Sequence, residues 1–153
     1  MGKKLTLNVN GIELTKQDIK ERFDKYNSLY FNGVLGKCDF CWYSVNQTNY
    51  GGYIAYETEN GVISKIWIGR NTYWDEEKLK EILVHEMIHM YVRTIDNKKI
   101  DGILGHGRHF RRQCKRIKKE HGLIIHKHPN FGYIKKELNP KKWEKVLLWL
   151  IDW

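Results

Sequence analysis

Five consecutive residues carry the plainest chemistry in this 153-residue chain: His85, Glu86, Met87, Ile88 and His89, an H-E-x-x-H pattern. On a helix, positions i and i+4 differ by about 40° in direction, so the two imidazoles project side by side. Their nitrogens can then reach one Zn²⁺ ion at about 2.0–2.1 Å. Glu86 points about 100° away from His85. That direction keeps its carboxylate out of the ligand set but near water at the ion, where it can serve as general base. The competing reading is two buried histidines hydrogen-bonded to backbone or carboxylate groups.

A catalytic zinc needs a third protein ligand and an open position. The same helix does not offer one, because Arg93 stands four residues after His89. The longer H-E-x-x-H-x-x-G-x-x-H pattern is absent too, since Val92 and Ile95 fill its Gly and His places. His106, within Gly105-His106-Gly107, is the preferred third ligand. Its flanking glycines permit close backbone approach, and helical projection places it near the direction of Phe110 and Ile117. His109 and Glu120 are the alternatives.

These residues need elements to position them. Asp75 is a suitable N-cap, followed by Glu76 and Glu77, for a helix reaching about Arg93. Leu79, Ile82, Leu83, Met87 and Met90 occupy one side, and Ile88 and Val92 the other, so this helix should be central. A glycine-bearing loop spans 96–107. A further helix covers 108–121, with Gly122 as C-cap. Upstream, residues 5–14 read as extended with an Asn10-Gly11 turn. Thr15 and Asp18 then open a helix with one buried face of Ile19, Phe23, Tyr26 and Tyr30. Strands are expected at 37–45, 52–58 and 62–68, with Asn60-Gly61 as a hairpin turn and Gly51-Gly52 breaking the chain. Residues 123–127 suggest a strand, and Pro140 starts a last amphipathic helix carrying Trp143, Val146, Leu147, Trp149 and Leu150. Helix, strands, then helices make an α+β chain, with a small, mostly antiparallel sheet of three to four strands.

The bulk properties limit the choices. An apolar fraction of 41% is enough for one core without disulfides. Three cysteines and no secretory leader fit a reducing, cytoplasmic setting. No apolar run is long enough to span a bilayer, so no membrane is expected. The bare Met1-Gly2-x-x-x-Thr6 match to a myristoylation signal is too short to carry weight. Cys38 and Cys41 fall on opposite faces of a strand, which makes them core or edge residues and not ligands. A net charge of +9 favours polyanions. The basic residues Arg108, Arg111, Arg112, Lys115, Arg116 and Lys119 gather on one helix, with Lys118 beside them, as a candidate nucleic-acid face. Tyr50, Tyr53 and Tyr56 suit base stacking or sheet packing. His121, His126 and His128 form a second histidine cluster that reads as surface histidines in a basic tail, with a secondary metal site as the alternative. Tyr91, His109, Arg108 and Tyr133 are candidates to stabilise an oxyanion.

His85-Glu86-x-x-His89 followed by Gly105-His106-Gly107-x-x-Phe110 resembles the SprT-like metalloprotease family. The segment Leu29-Tyr30-Phe31-Asn32-Gly33-Val34-Leu35, with Trp42-Tyr43-Ser44 after it, fits the same pattern, and the resemblance covers about residues 15–122. It implies a zincin-like fold, one zinc held by His85, His89 and His106, Glu86 as catalytic acid/base, and an association with proteolysis of proteins crosslinked to DNA. Many relatives add a four-cysteine zinc ribbon, yet no cysteine follows Cys114 here. The resemblance therefore speaks more to chemistry than to a DNA-repair role. The expectation is a single domain over 1–153, with a core at 15–122 and a packing tail at 123–153. It would be a monomeric zinc endopeptidase with a protein substrate and DNA as a candidate partner. The alternatives are a nucleic-acid-binding module with structural zinc, or a zinc hydrolase of a non-peptide amide.

Overall fold

A computed structural model describes residues 6–43 and 50–132. The first hairpin pairs β1 (Leu7–Val9) with β2 (Ile12–Leu14), and Leu7 lies opposite Leu14. Asn10 and Gly11 both take positive φ, the conformation this tight turn demands. Val9 bridges Trp74, and the Asn10 amide donates to the Trp74 carbonyl at 2.8 Å, which ties the hairpin to the body.

Helix α1 (Lys16–Phe31) begins at a full capping box. The Thr15 hydroxyl accepts from the Asp18 amide, and the Asp18 carboxylate accepts from the Thr15 amide at 2.7 Å. Its buried face is Ile19, Phe23, Tyr26 and Phe31, with Tyr30 half-buried. Asn27 is buried as well, and its side-chain amide brackets Leu35, donating to the carbonyl and accepting from the N–H. The helix stops at Asn32, which is left-handed.

Three strands form the main sheet: β3 (Cys38–Tyr43), β4 (Gly51–Thr58) and β5 (Gly61–Gly69), in the order β3-β5-β4. β4 and β5 are antiparallel, whereas β3 and β5 are parallel with Cys38 opposite Ser64. Two of the three described pairings are antiparallel, and the sheet itself is mixed. The β4–β5 hairpin turns at Glu59 and Asn60, one residue earlier than expected, with Gly61 supplying the positive φ at the strand start. Gly51 and Gly52 do not break the chain. They lie inside β4, where a Cβ on Gly52 would fall 2.1 Å from the Trp67 indole nitrogen. Close packing selects glycine there.

Helices α1 and α2 (Glu76–Thr94) pack on this sheet, α1 over β3 and α2 over β4 and β5, and α3 (Arg108–His121) packs on α2. The core is one cluster that includes Ile66 and Ile68 of β5 and Leu79, Leu83 and Met87 of α2. Residues 123–127 form no strand. Ile125 is buried, but no neighbouring edge pairs with this stretch. The expected helix after Pro140, together with Ser44 and Tyr133, lies outside the described residues.

Candidate metal centre

Helix α2 fixes two side chains of the site. Asp75 caps it, accepting from the Lys78 amide at 2.8 Å. Leu79, Leu83, Val84, Met87 and Ile88 are fully buried, so the helix cannot rotate without exposing core. That burial aims His85 and His89 in one direction and sets Glu86 beside them.

His106 arrives from the loop before α3. The loop is closed by Asp101, whose carbonyl accepts from the Gly107 amide at 2.8 Å. The Asp101 carboxylate accepts from the amides of His109 and Phe110, at 3.1 and 2.7 Å. It thereby caps α3, whose own N-cap residue Gly107 has no side chain to offer. The glycines beside His106 are required by contact. A Cβ on Gly105 would sit 3.1 Å from His89, and one on Gly107 would sit 2.6 Å from the Asp101 carbonyl carbon.

The three histidines converge through Nε2. His85 Nε2 is 3.3 Å from His89 Nε2 and 3.2 Å from His106 Nε2. Nitrogens around a tetrahedral ion at about 2.0–2.1 Å are about 3.3–3.4 Å apart, so the spacing fits. The Phe110 ring lies against all three imidazoles, its centroid 4.7–4.9 Å from theirs, and closes the site from below. His85 Nδ1 lies 2.9 Å from the His126 carbonyl oxygen. A carbonyl only accepts, so Nδ1 carries the proton and Nε2 presents its lone pair.

Charge state agrees with this geometry. Burial holds His85 down at about 4 and His89 at about 3, so both are neutral near pH 7 and able to ligate. His106 is lowered by the same cause. Lone pairs facing each other at this range repel unless a proton or cation lies between them. The donor set therefore suits a metal ion. Glu86 is 5% exposed, and burial pushes its carboxyl up to about 8. A cation beside it would draw that value down again.

These groups line a cleft of about 800 Å³. Strand β4 contributes Gly52, Tyr53 and Ala55, and the segment after α3 contributes Lys127, His128 and Pro129. Among the described residues, His85, His89 and His106 are the only group of three or more metal-capable side chains that converges. His109 instead pairs with Asp96 at 3.0 Å, and Glu120 with Arg116 at 3.0 Å. Neither of those two, nor Tyr91 or Arg108, lines the cleft. Cys38 and Cys41 are buried in β3.

The remaining candidates separate. Arg108, Arg111, Arg112, Lys115, Lys118 and Lys119 are exposed along α3. Arg116 is not available in the same way, because its guanidinium donates to Gln113, Glu120 and the Tyr30 carbonyl. It also lies over the Phe31 ring at 5.8 Å. His121 packs edge-on against Tyr30, while the His126 carbonyl meets His85 and the His128 ring lies against His106. Sequence reasoning misses Asp101 and the His126 carbonyl. A backbone carbonyl has no residue signature, and Asp101 lies too far before α3 for a normal cap.

The SprT-like family model matches residues 19–131. The chain is also 28% identical over 148 residues to a rat (Rattus norvegicus) protein described as DNA-dependent metalloprotease SPRTN. That alignment covers 80% of this chain but 29% of the relative, so the chain spans less than a third of that protein's length. No described helix is long and apolar enough to cross a membrane.

Proposed function

The chain belongs to the SprT-like family, and from that premise we propose that it is a zinc-dependent endopeptidase whose general base is Glu86. The observation that carries this reading is the convergence of three neutral imidazoles, His85 Nε2 lying 3.2–3.3 Å from the other two, beside a buried carboxyl in an open cleft. His85, His89 and His106 would hold one ion. When bound, zinc supplies a Lewis acid that lowers the pKa of water towards about 7 and polarises a scissile carbonyl.

The chain's own groups do the rest. Glu86 takes the proton from the attacking water and passes it to the departing amine. Its burial keeps that proton from bulk solvent and raises its basicity. Phe110 excludes water beneath the imidazoles. Among the described residues three ligands converge, not four, which favours a catalytic site over a structural one.

The related rat protein is described as DNA-dependent. DNA binding is proposed here for the exposed face of α3, through Arg108, Arg111, Arg112, Lys115 and Lys119. Cleavage of an unfolded protein and of a basic DNA-bound protein, with and without DNA, tests both parts. Cleavage should stop on chelation, return with zinc, and rise with DNA at low salt. Cleavage indifferent to chelation would overturn the zinc reading, and indifference to DNA would remove DNA from it.

A further inference from the structure

Beyond the three ligands and Glu86, we propose that Glu81 is the positioning residue for His85, acting through the peptide at His126. The inference rests on the reading of His85 as a metal ligand.

Glu81 lies one helical turn before His85 on α2, and its side chain is mostly buried. One of its oxygens, Oε1, accepts two hydrogen bonds from the same residue: from the His126 amide at 3.1 Å and from His126 Nδ1. The His126 carbonyl in turn accepts from His85 Nδ1. A closed path therefore runs from Glu81 across to His126 and back to the imidazole four residues further along the same helix. The path is short enough to set the ring's rotation and tautomer, and those decide where Nε2 points.

Such a clamp is needed because of what residues 123–132 lack. No strand or helix holds them. At the far end, the Gly132 amide donates to the Tyr50 hydroxyl at 3.1 Å, and the Thr72 hydroxyl donates to the Gly132 carbonyl at 3.1 Å. At the near end, Ile125 is buried and Glu81 grips His126. Between these ties the segment lays His128 against His106, with ring centroids 5.1 Å apart. Releasing Glu81 would loosen a carbonyl on one ligand and a ring on another.

The test is zinc affinity, measured by competition with a chromophoric chelator, together with the visible spectrum of the cobalt(II)-loaded protein. Glu81→Gln keeps an oxygen that accepts both bonds, while Glu81→Leu keeps the bulk and removes the acceptor. His126→Ala removes one of the two bonds at a side chain that is 62% exposed, where folding is not at risk. Outer partners of metal-bound histidines typically contribute about 10–100-fold in affinity. Glu81→Leu should lose about that much and change the cobalt spectrum, and Glu81→Gln should stay within about threefold of wild type. His126→Ala should fall between them. Wild-type affinity in Glu81→Leu would overturn the proposal, as would a loss in Glu81→Gln equal to that in Glu81→Leu. If Glu81→Leu does not fold, unchanged affinity in His126→Ala overturns it. Failure of the wild-type protein to bind zinc would instead sink the metal-centre reading itself.

Discussion

His106 Nε2 lies 3.2 Å from His85 Nε2 although 21 positions separate the two residues in the chain. Nothing local to either residue enforces that approach. It depends on the Asp101-closed loop and on α3 docking Phe110 beneath the imidazoles.

The first prediction concerns His106 as the proposed third ligand. His106→Ala should weaken zinc binding by about a hundredfold or more, while His109→Ala should change it by no more than about twofold. His109 faces Asp96 and lies outside the converging group. Metal retention after dialysis against a graded chelator series distinguishes the two variants. Equal losses would show that the loop admits either histidine.

The loop closure makes a second prediction. Gly107→Ala forces a Cβ against the Asp101 backbone, and overpacking of that kind costs about 1–3 kcal/mol. Asp101→Ala removes the acceptors for two α3 amides, a capping loss of about 1–2 kcal/mol. Both should lower the midpoint of denaturant unfolding and weaken zinc binding together. A fall in stability with unchanged zinc affinity would mean that the loop does not position His106.

Much of this architecture is legible in the chain because it is local. The H-E-x-x-H spacing, the Thr15–Asp18 capping box, the Asp75 cap, the Gly122 stop and the Asn10-Gly11 turn each depend on residues within a few positions of one another. What escapes is non-local or carries no side-chain signature. The parallel pairing of β3 with β5 sets Cys38 opposite Ser64, 26 positions away, and neither strand's composition specifies that partner. The apolar character of residues 123–127 suggests a strand, yet one buried isoleucine and a carboxylate grip replace the ladder. Gly51 and Gly52 look like a chain break because the groups that leave no room for a side chain, Ile82 and the Trp67 carbonyl at Gly51 and the Trp67 ring at Gly52, lie on other elements.

Arg116 illustrates the same limit and supplies a third prediction. It belongs by sequence to the basic face of α3, but it is tied to Tyr30, Gln113 and Glu120. Arg116→Ala should destabilise the fold by about 1.5–3 kcal/mol, the usual range for hydrogen bonds to a charged group. The triple change Arg111→Ala, Arg112→Ala and Lys115→Ala should leave thermal stability nearly intact. It should lower the salt slope of DNA binding by about 0.9 for each phosphate no longer neutralised. Fluorescence anisotropy over a salt series reads this directly. An unchanged slope would move the DNA-binding face away from α3.

The cysteines give a pH-dependent prediction. Burial pushes the Cys41 thiol up to about 12 and Cys114 up to about 11, and raises Cys38 as well. A raised thiol pKa leaves less thiolate at any given pH below it, and thiolate is the reactive form. Iodoacetamide at pH 8 should therefore label Cys114 about a hundredfold more slowly than an unperturbed cysteine, with the rate rising about tenfold per pH unit. Unfolded chain should label at the ordinary rate. Rapid native labelling at Cys38 and Cys41 would point to lowered thiol pKa values, as at a metal or redox site, and would contradict their place in the core.

The central claim is that Glu86 moves the proton while the three histidines hold the ion. Glu86→Gln separates these roles, because it removes the base and leaves His85, His89 and His106 unchanged. The decisive measurement compares wild type with Glu86→Gln for zinc content and for cleavage of an unfolded protein in the same preparation. Both proteins should carry one zinc per chain, and cleavage should fall by at least about a hundredfold in the variant, the contribution expected of a general base. Equal cleavage by the two proteins, each carrying its zinc, would contradict that division of roles.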